Sequence, residues 1–123
     1  MIKTIPVDNA AKGGLVTQID LKDGTLGESK TFFDSTPITH HPDTNSIIKG
    51  VRVPFWSETM KTLVKTHNHF PYIKFIAWDV VIMKDGFCVI EGNASTGLNI
   101  FQLWKGARNS ELGKFYKRQG VIR

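Results

Sequence analysis

Apolar and polar positions alternate most clearly over residues 73–93, where IKFIAWDVVIMKDGFCVIEGN reads as two β-like runs around a Lys84-Asp85-Gly86 turn. Residues 15–21 predict an earlier strand, preceded by a glycine-containing loop over residues 9–14. A second Lys-Asp-Gly turn at residues 22–24 then predicts another hairpin. Residues 35–45 hold Pro37, Pro42 and the Asp43-Thr44-Asn45 cluster, and read as loop. Pro54 opens a predicted helix over residues 55–69, in which Trp56, Met60, Leu63, Val64 and His67 form one stripe opposite Lys61, Lys65 and Asn68. Pro71 ends it. An irregular stretch over residues 94–99 follows the long hairpin, and a last helix starts at Gln102 or Leu112 and reaches Arg118. Strands and helices in mixed order with hairpin connections predict an α+β fold: an antiparallel β-sheet with packed helices.

The long hairpin also carries the candidate chemistry. Asp79 interrupts the first apolar run, Glu91 ends the second, and Asn93 stands two residues on. Residues i and i+2 of a strand share a face, so Glu91 and Asn93 point the same way. A two-residue Asp85-Gly86 loop would pair Asp79 with Gly92 and set the carboxylates on opposite faces. A three-residue loop, closed by Gly86 in the left-handed region, pairs Met83 with Phe87 and Asp79 with Glu91. The order Lys-Asp-Gly suits the longer loop, because its glycine falls where positive φ is needed. Two opposed carboxylates repel, and a bound divalent cation removes the conflict. Mg²⁺ takes few protein oxygens and completes its shell with water and phosphate, which fits Asp79, Glu91 and Asn93; the alternative reading is that Asp79 and Glu91 are solvated residues on a half-exposed face.

Composition narrows the class without naming a function. At 123 residues, 41% apolar and 22% charged, the chain is expected to be a single domain over 1–123 with one core. No apolar run approaches a membrane span, and the N-terminus lacks a signal-peptide pattern, so no membrane partner and a cytoplasmic location are expected. The single cysteine, Cys88, lies within a strand and reads as a small core residue in a reducing compartment. The net charge of +5 is concentrated in Lys105, Arg108, Lys114, Lys117, Arg118 and Arg123, interleaved with Trp104, Phe115 and Tyr116. That run fits the solvated face of a terminal helix, a nucleic-acid surface, or a positive field around an anionic ligand. His40 and His41 are adjacent, and His67 and His69 lack the i, i+4 spacing of a helical metal site, so zinc is not expected. No nucleophile elbow, Walker A loop or G-x-G-x-x-G run is present.

The hairpin residues WDV, KDG and VIEGN, with Asp79, Glu91 and Asn93, resemble the metal-binding hairpin of ATP-grasp enzymes. The loop Asn9-Ala10-Ala11-Lys12-Gly13-Gly14 is similar to the N-x-x-x-G-G loop of glutathione-synthetase-like members. The ordered series VDN, GG, HPDT, G-x-x-VP-x-W, WDV and EGN covers nearly the whole chain and most resembles the sugar-transfer-associated ATP-grasp group. The resemblance implies the C-terminal subdomain of an ATP-grasp fold and ATP-dependent ligation through an acyl phosphate, linked to polysaccharide or sugar-transfer biosynthesis. ATP and a carboxylate would then be the ligands of the complete enzyme. It implies that Asp79, Glu91 and Asn93 bind Mg²⁺ or Mn²⁺ bridging the ATP phosphates. Gly13 and Gly14 would cover the phosphates, with Asn9 shaping the loop. Lys12, Arg108 and Lys74 are weaker candidates for contacts with phosphate.

Two departures from that family set further expectations. Many ATP-grasp ligases carry an arginine two residues before the metal-binding aspartate, and Ala77 stands there. Lys74, Lys49 or Arg52 would have to supply the charge. The N-terminal adenine-binding half is expected to be missing, so the chain would depend on a complementing chain or a homo-oligomer and would not turn over ATP alone. The competing expectations are a basic module that binds nucleic acid or another polyanion, and a non-catalytic remnant.

Overall fold

Two hairpins and two helices form the regular structure, in the order β1 (Val16–Ile19), β2 (Leu26–Lys30), α1 (Trp56–His67), β3 (Ala77–Met83), β4 (Gly86–Asn93) and α2 (Glu111–Arg118). The computed structural model describes residues 10–123. β1 pairs with β2 and β3 with β4, giving two separate two-stranded antiparallel sheets. With the two helices this is the α+β class that the residue pattern predicted. The chain divides into two compact units. One holds residues 10–16, Lys30–Thr36 and Gly97–Arg123; the other holds Thr17–Ser29 and Pro37–Thr96.

The first hairpin turns at residues 22–24, as expected. Gly24 takes φ +76°, donates its N–H to the Asp20 carbonyl at 2.8 Å, and lies just before Thr25, whose carbonyl accepts from Asp20 at 2.8 Å. Asp20 Oδ1 accepts from the Lys22 N–H at 2.8 Å, and Asp23 Oδ1 from the Thr25 N–H at 2.9 Å. These short polar side chains close the turn onto its own backbone. The Thr25 side chain, then its N–H, and more weakly the nearby Arg52 guanidinium hold Asp23 below its ordinary pKa.

Pro54 precedes α1, and Glu58 in the first turn and Lys65 and His67 in the last complement the helix dipole. The buried face differs from the expected stripe. Thr59 is buried, whereas Val64 is 57% exposed. At about 100° per residue, Val64 falls about 80° from Trp56, at the stripe's edge, while Thr59 and Leu63 fall on its other flank. The last helix is shorter than Gln102 would have made it. Ile100–Gln102 and Ala107–Asn109 are separate 3₁₀ turns, and α2 starts after Ser110, whose hydroxyl accepts from the Gly113 N–H at 3.3 Å. Gly113 passes so close to the Ala107 and Arg108 carbonyls that no Cβ fits.

The expected single hydrophobic core is not what the described residues form. None of their hydrophobic side chains is fully buried; Ser29 and Thr59 are the buried polar residues. Ser29 exchanges backbone hydrogen bonds with Ile38, both 2.8 Å, and its hydroxyl bonds that of Thr17 at 2.5 Å. Two-stranded sheets cover little apolar surface each, so half-burial is the rule here.

Candidate functional site

Asp79 and Glu91 stand directly opposite one another across the β3–β4 ladder. The route to that pairing differs from the three-residue loop expected from the sequence. Met83 pairs with Gly86, so the loop is only Lys84-Asp85, and Gly86 opens β4 with φ +157° instead of closing a left-handed turn. Val80 pairs with Val89, and the register then shifts before Asp79 meets Glu91. Ile90 is the extra residue, a β-bulge that restores what the shorter loop would otherwise have undone.

The two faces of this hairpin have different characters. Trp78, Val80, Ile82, Phe87 and Val89 are half-buried on one face. There an open cavity of about 260 Å³ is lined by Phe70, Ile73, Ile76, Trp78, Gly92 and Ala94. Asp79, Val81, Met83, Cys88, Ile90, Glu91 and Asn93 are exposed on the other. Cys88 is therefore not the core residue that its apolar neighbours suggested, because strand alternation turns it outward opposite Val81.

On the exposed face, Asn93 Nδ2 donates to Glu91 Oε1 at 3.0 Å, joining the i, i+2 pair that the sequence placed together. Among the described residues, no lysine, arginine or histidine forms an ion pair with Asp79 or Glu91. No three His, Cys, Asp or Glu side chains gather into a metal cluster among those residues. The donor set is thus two opposed carboxylates and one carboxamide. It fits a hard, oxygen-seeking cation that keeps part of its shell for water or phosphate, and it does not suit zinc.

The remaining candidates fall into place separately. Lys12 is exposed at the end of the Ala10–Lys12 turn, and Gly13 follows with φ +94° and its N–H on the Ala10 carbonyl at 3.2 Å. A Cβ on Gly13 would meet nothing within 4 Å, so its backbone angle, not crowding, is what favours glycine. Gly14 is half-buried beside it, and Asn9 lies outside the described residues. This loop belongs to the first unit and the carboxylate hairpin to the second. Lys74 Nζ bonds the Pro71 carbonyl at 3.3 Å, within its own turn. Lys49 pairs with Glu28 at 2.8 Å and Arg52 with Asp23 at 3.4 Å. Arg108 Nη2 donates to the Arg123 carbonyl at 2.9 Å.

The histidines bond locally. His40 Nδ1 meets the Thr39 hydroxyl, His41 Nδ1 accepts from the Asp43 N–H, and His67 and His69 bond the Ile73 and Lys65 carbonyls. Two features escaped the sequence reading. The Ile90 bulge leaves no mark in composition or periodicity. Lys30 bonds the Leu103 carbonyl at 3.2 Å and lies 5.5 Å from the Trp104 ring centroid, a pairing over more than seventy residues that no local pattern signals.

Among known families, the chain matches the one described as sugar-transfer associated ATP-grasp, over residues 2–114. Nothing matches among curated proteins or among solved structures. Among the described residues, no helix is long and apolar enough to cross a membrane.

Proposed function

The chain belongs to the sugar-transfer-associated ATP-grasp family, and on that premise we propose that its β3–β4 hairpin holds the Mg²⁺ that carries the phosphates of ATP. Membership implies an ATP-binding, ligase-like function with a carboxylate as substrate. The finer reading is an ATP-dependent ligase that activates that carboxylate as an acyl phosphate, in the service of polysaccharide or sugar-transfer biosynthesis. One observation carries it. Asp79 faces Glu91 with no basic side chain paired to either among the described residues. Such a pair is costly by itself and is relieved by a cation.

Asp79 and Glu91 would be the anionic ligands and Asn93 the neutral one. Asn93 Nδ2 already holds one Glu91 oxygen, leaving the other Glu91 oxygen and its own carbonyl for coordination. A cation bound there would neutralise charge on the transferring phosphoryl group. Gly13 and Gly14 supply backbone amides without side chains to an anionic partner. We assign the metal and phosphate part of the site to this chain. A cytoplasmic location fits that role.

Mg²⁺ or Mn²⁺ is expected to raise the unfolding temperature of the protein, by the equivalent of about 1.4 kcal/mol at ten times its Kd. Glu91→Gln should abolish that shift while leaving the metal-free protein folded. Equal stabilisation of both proteins, or of neither, would sink the assignment.

A further inference from the structure

We propose that Gly92 and Trp78 are positioning residues for this metal site: their contact holds β4 in the bulged register that turns Glu91 and Asn93 onto the face of Asp79. The inference rests on the assignment of Asp79, Glu91 and Asn93 to the cation. From the turn to Val80, the ladder runs Met83 to Gly86, Ile82 to Phe87, Val81 to Cys88 and Val80 to Val89. Continued without interruption, that register would set Asp79 opposite Ile90 and Trp78 opposite Glu91. Because strand side chains alternate, Glu91 would then share the apolar face of Trp78, and Asn93 would go with it. The shift at Ile90 moves both back to the exposed face and brings Gly92 opposite Trp78 instead.

Gly92 is the residue that makes this register fit. A Cβ built on it would lie 2.7 Å from Trp78 Cζ3, 2.9 Å from Cε3 and 3.0 Å from Ile76 Cγ2. The Trp78 ring thus lies across the Gly92 backbone, and only a residue without a side chain leaves it room. The regular register would put Glu91 in that place, against the ring. The indole and the glycine together therefore favour the bulge, and the bulge selects the face on which the carboxylate emerges. Gly92 is not among the residues with positive φ, so crowding by the ring, not backbone conformation, is the constraint on it. A one-residue slip reverses every side chain beyond it, so this contact acts on the site without touching the ion.

The test is direct Mn²⁺ binding by the full chain, read from the free-ion paramagnetic resonance signal, with circular dichroism recorded on each protein. Gly92→Ala keeps Asp79, Glu91 and Asn93 intact yet is expected to weaken Mn²⁺ binding by at least about tenfold. Trp78→Leu leaves Gly92 and the three ligands in place but removes the ring that keeps Glu91 out of the regular register, and should weaken binding by a comparable factor, whereas Trp78→Phe, which keeps a ring over the glycine, should stay within about threefold of the original. The Trp78 variants also cover the case in which Gly92→Ala does not fold. Unchanged binding in Gly92→Ala or in Trp78→Leu overturns the positioning role. A wild-type signal that Glu91→Gln does not alter defeats the metal assignment itself, so the two failures are told apart.

Discussion

The tripeptide Lys-Asp-Gly occurs at residues 22–24 and again at 84–86, and the two copies fold differently. In the first, Gly24 is buried with φ +76°, Asp20 and Asp23 cap backbone amides, and Trp56 covers the glycine from α1 while its indole N–H bonds the Leu21 carbonyl at 3.2 Å. In the second, Gly86 opens a strand with φ +157°, and nothing lies within 4 Å of where its Cβ would be. Identical turn chemistry therefore yields two conformations, because one turn is pressed by a helix and the other is set by its own strands. The covered turn serves stability. The open one carries the exposed, directly opposed carboxylates Asp79 and Glu91.

Replacing each glycine by alanine tests that difference most strongly. Gly24→Ala meets both a strained φ and the Trp56 ring, 2.5 Å from its Cγ, and should cost about 2–5 kcal/mol in urea unfolding. Gly86→Ala meets backbone strain alone and should cost about 1–2 kcal/mol. Equal losses would mean that the turns are governed by local conformation and that the helix contributes nothing.

A double-mutant cycle sharpens the same point. Trp56→Ala removes a half-buried ring and should cost about 2–3 kcal/mol alone. In the Gly24→Ala background the loss should shrink, because the clash goes with the ring. Additive losses would show that Trp56 and Gly24 do not share the contact seen here.

The smallest effect is one of pH. Hydrogen bonds from the Thr25 side chain and N–H, aided by Arg52, hold Asp23 below its ordinary value of 3.8. A carboxylate with a depressed folded-state pKa adds stability above its unfolded value, and loses it as pH falls through the folded value. Asp34, bonded by Thr36, and Glu111, paired with Lys114, act in the same direction. All three lie at the solvent-exposed surface, so solvent screens the effect and it is modest. Asp23→Asn should lower the urea midpoint slightly near neutrality and converge with the unsubstituted protein once the pH has fallen below the depressed folded-state value of Asp23. A constant gap down to that pH would place the role of Asp23 in the shape of the turn instead of in its charge.

The elements most legible in the sequence were those whose signal is local. Alternation marked β3 and β4, Pro54 and the 3.6-residue stripe marked α1 to within two residues, and the spacing of Glu91 and Asn93 gave their common face. The order of motifs gave the family. The misses share a cause. Apolar character alone predicts Val64 in the helix stripe and Cys88 in a core, but burial depends on which neighbours arrive and not on residue type. The start of α2 was blurred because its cap, Ser110, resembles any loop serine until the Gly113 N–H is seen pointing at it.

The residues alone settled that two carboxylates and a carboxamide ride on one hairpin, since the types and spacing of side chains are written in order along the chain. They could not settle the register. Counting from the turn predicted a longer loop, and the true pairing of Asp79 with Glu91 comes from a shorter loop corrected by the bulge at Ile90. That correction depends on the Trp78 ring lying over Gly92, a contact between strands that exists only once the two are brought together. Local sequence chose the two carboxylates and the carboxamide; packing across the hairpin chose the face on which they meet.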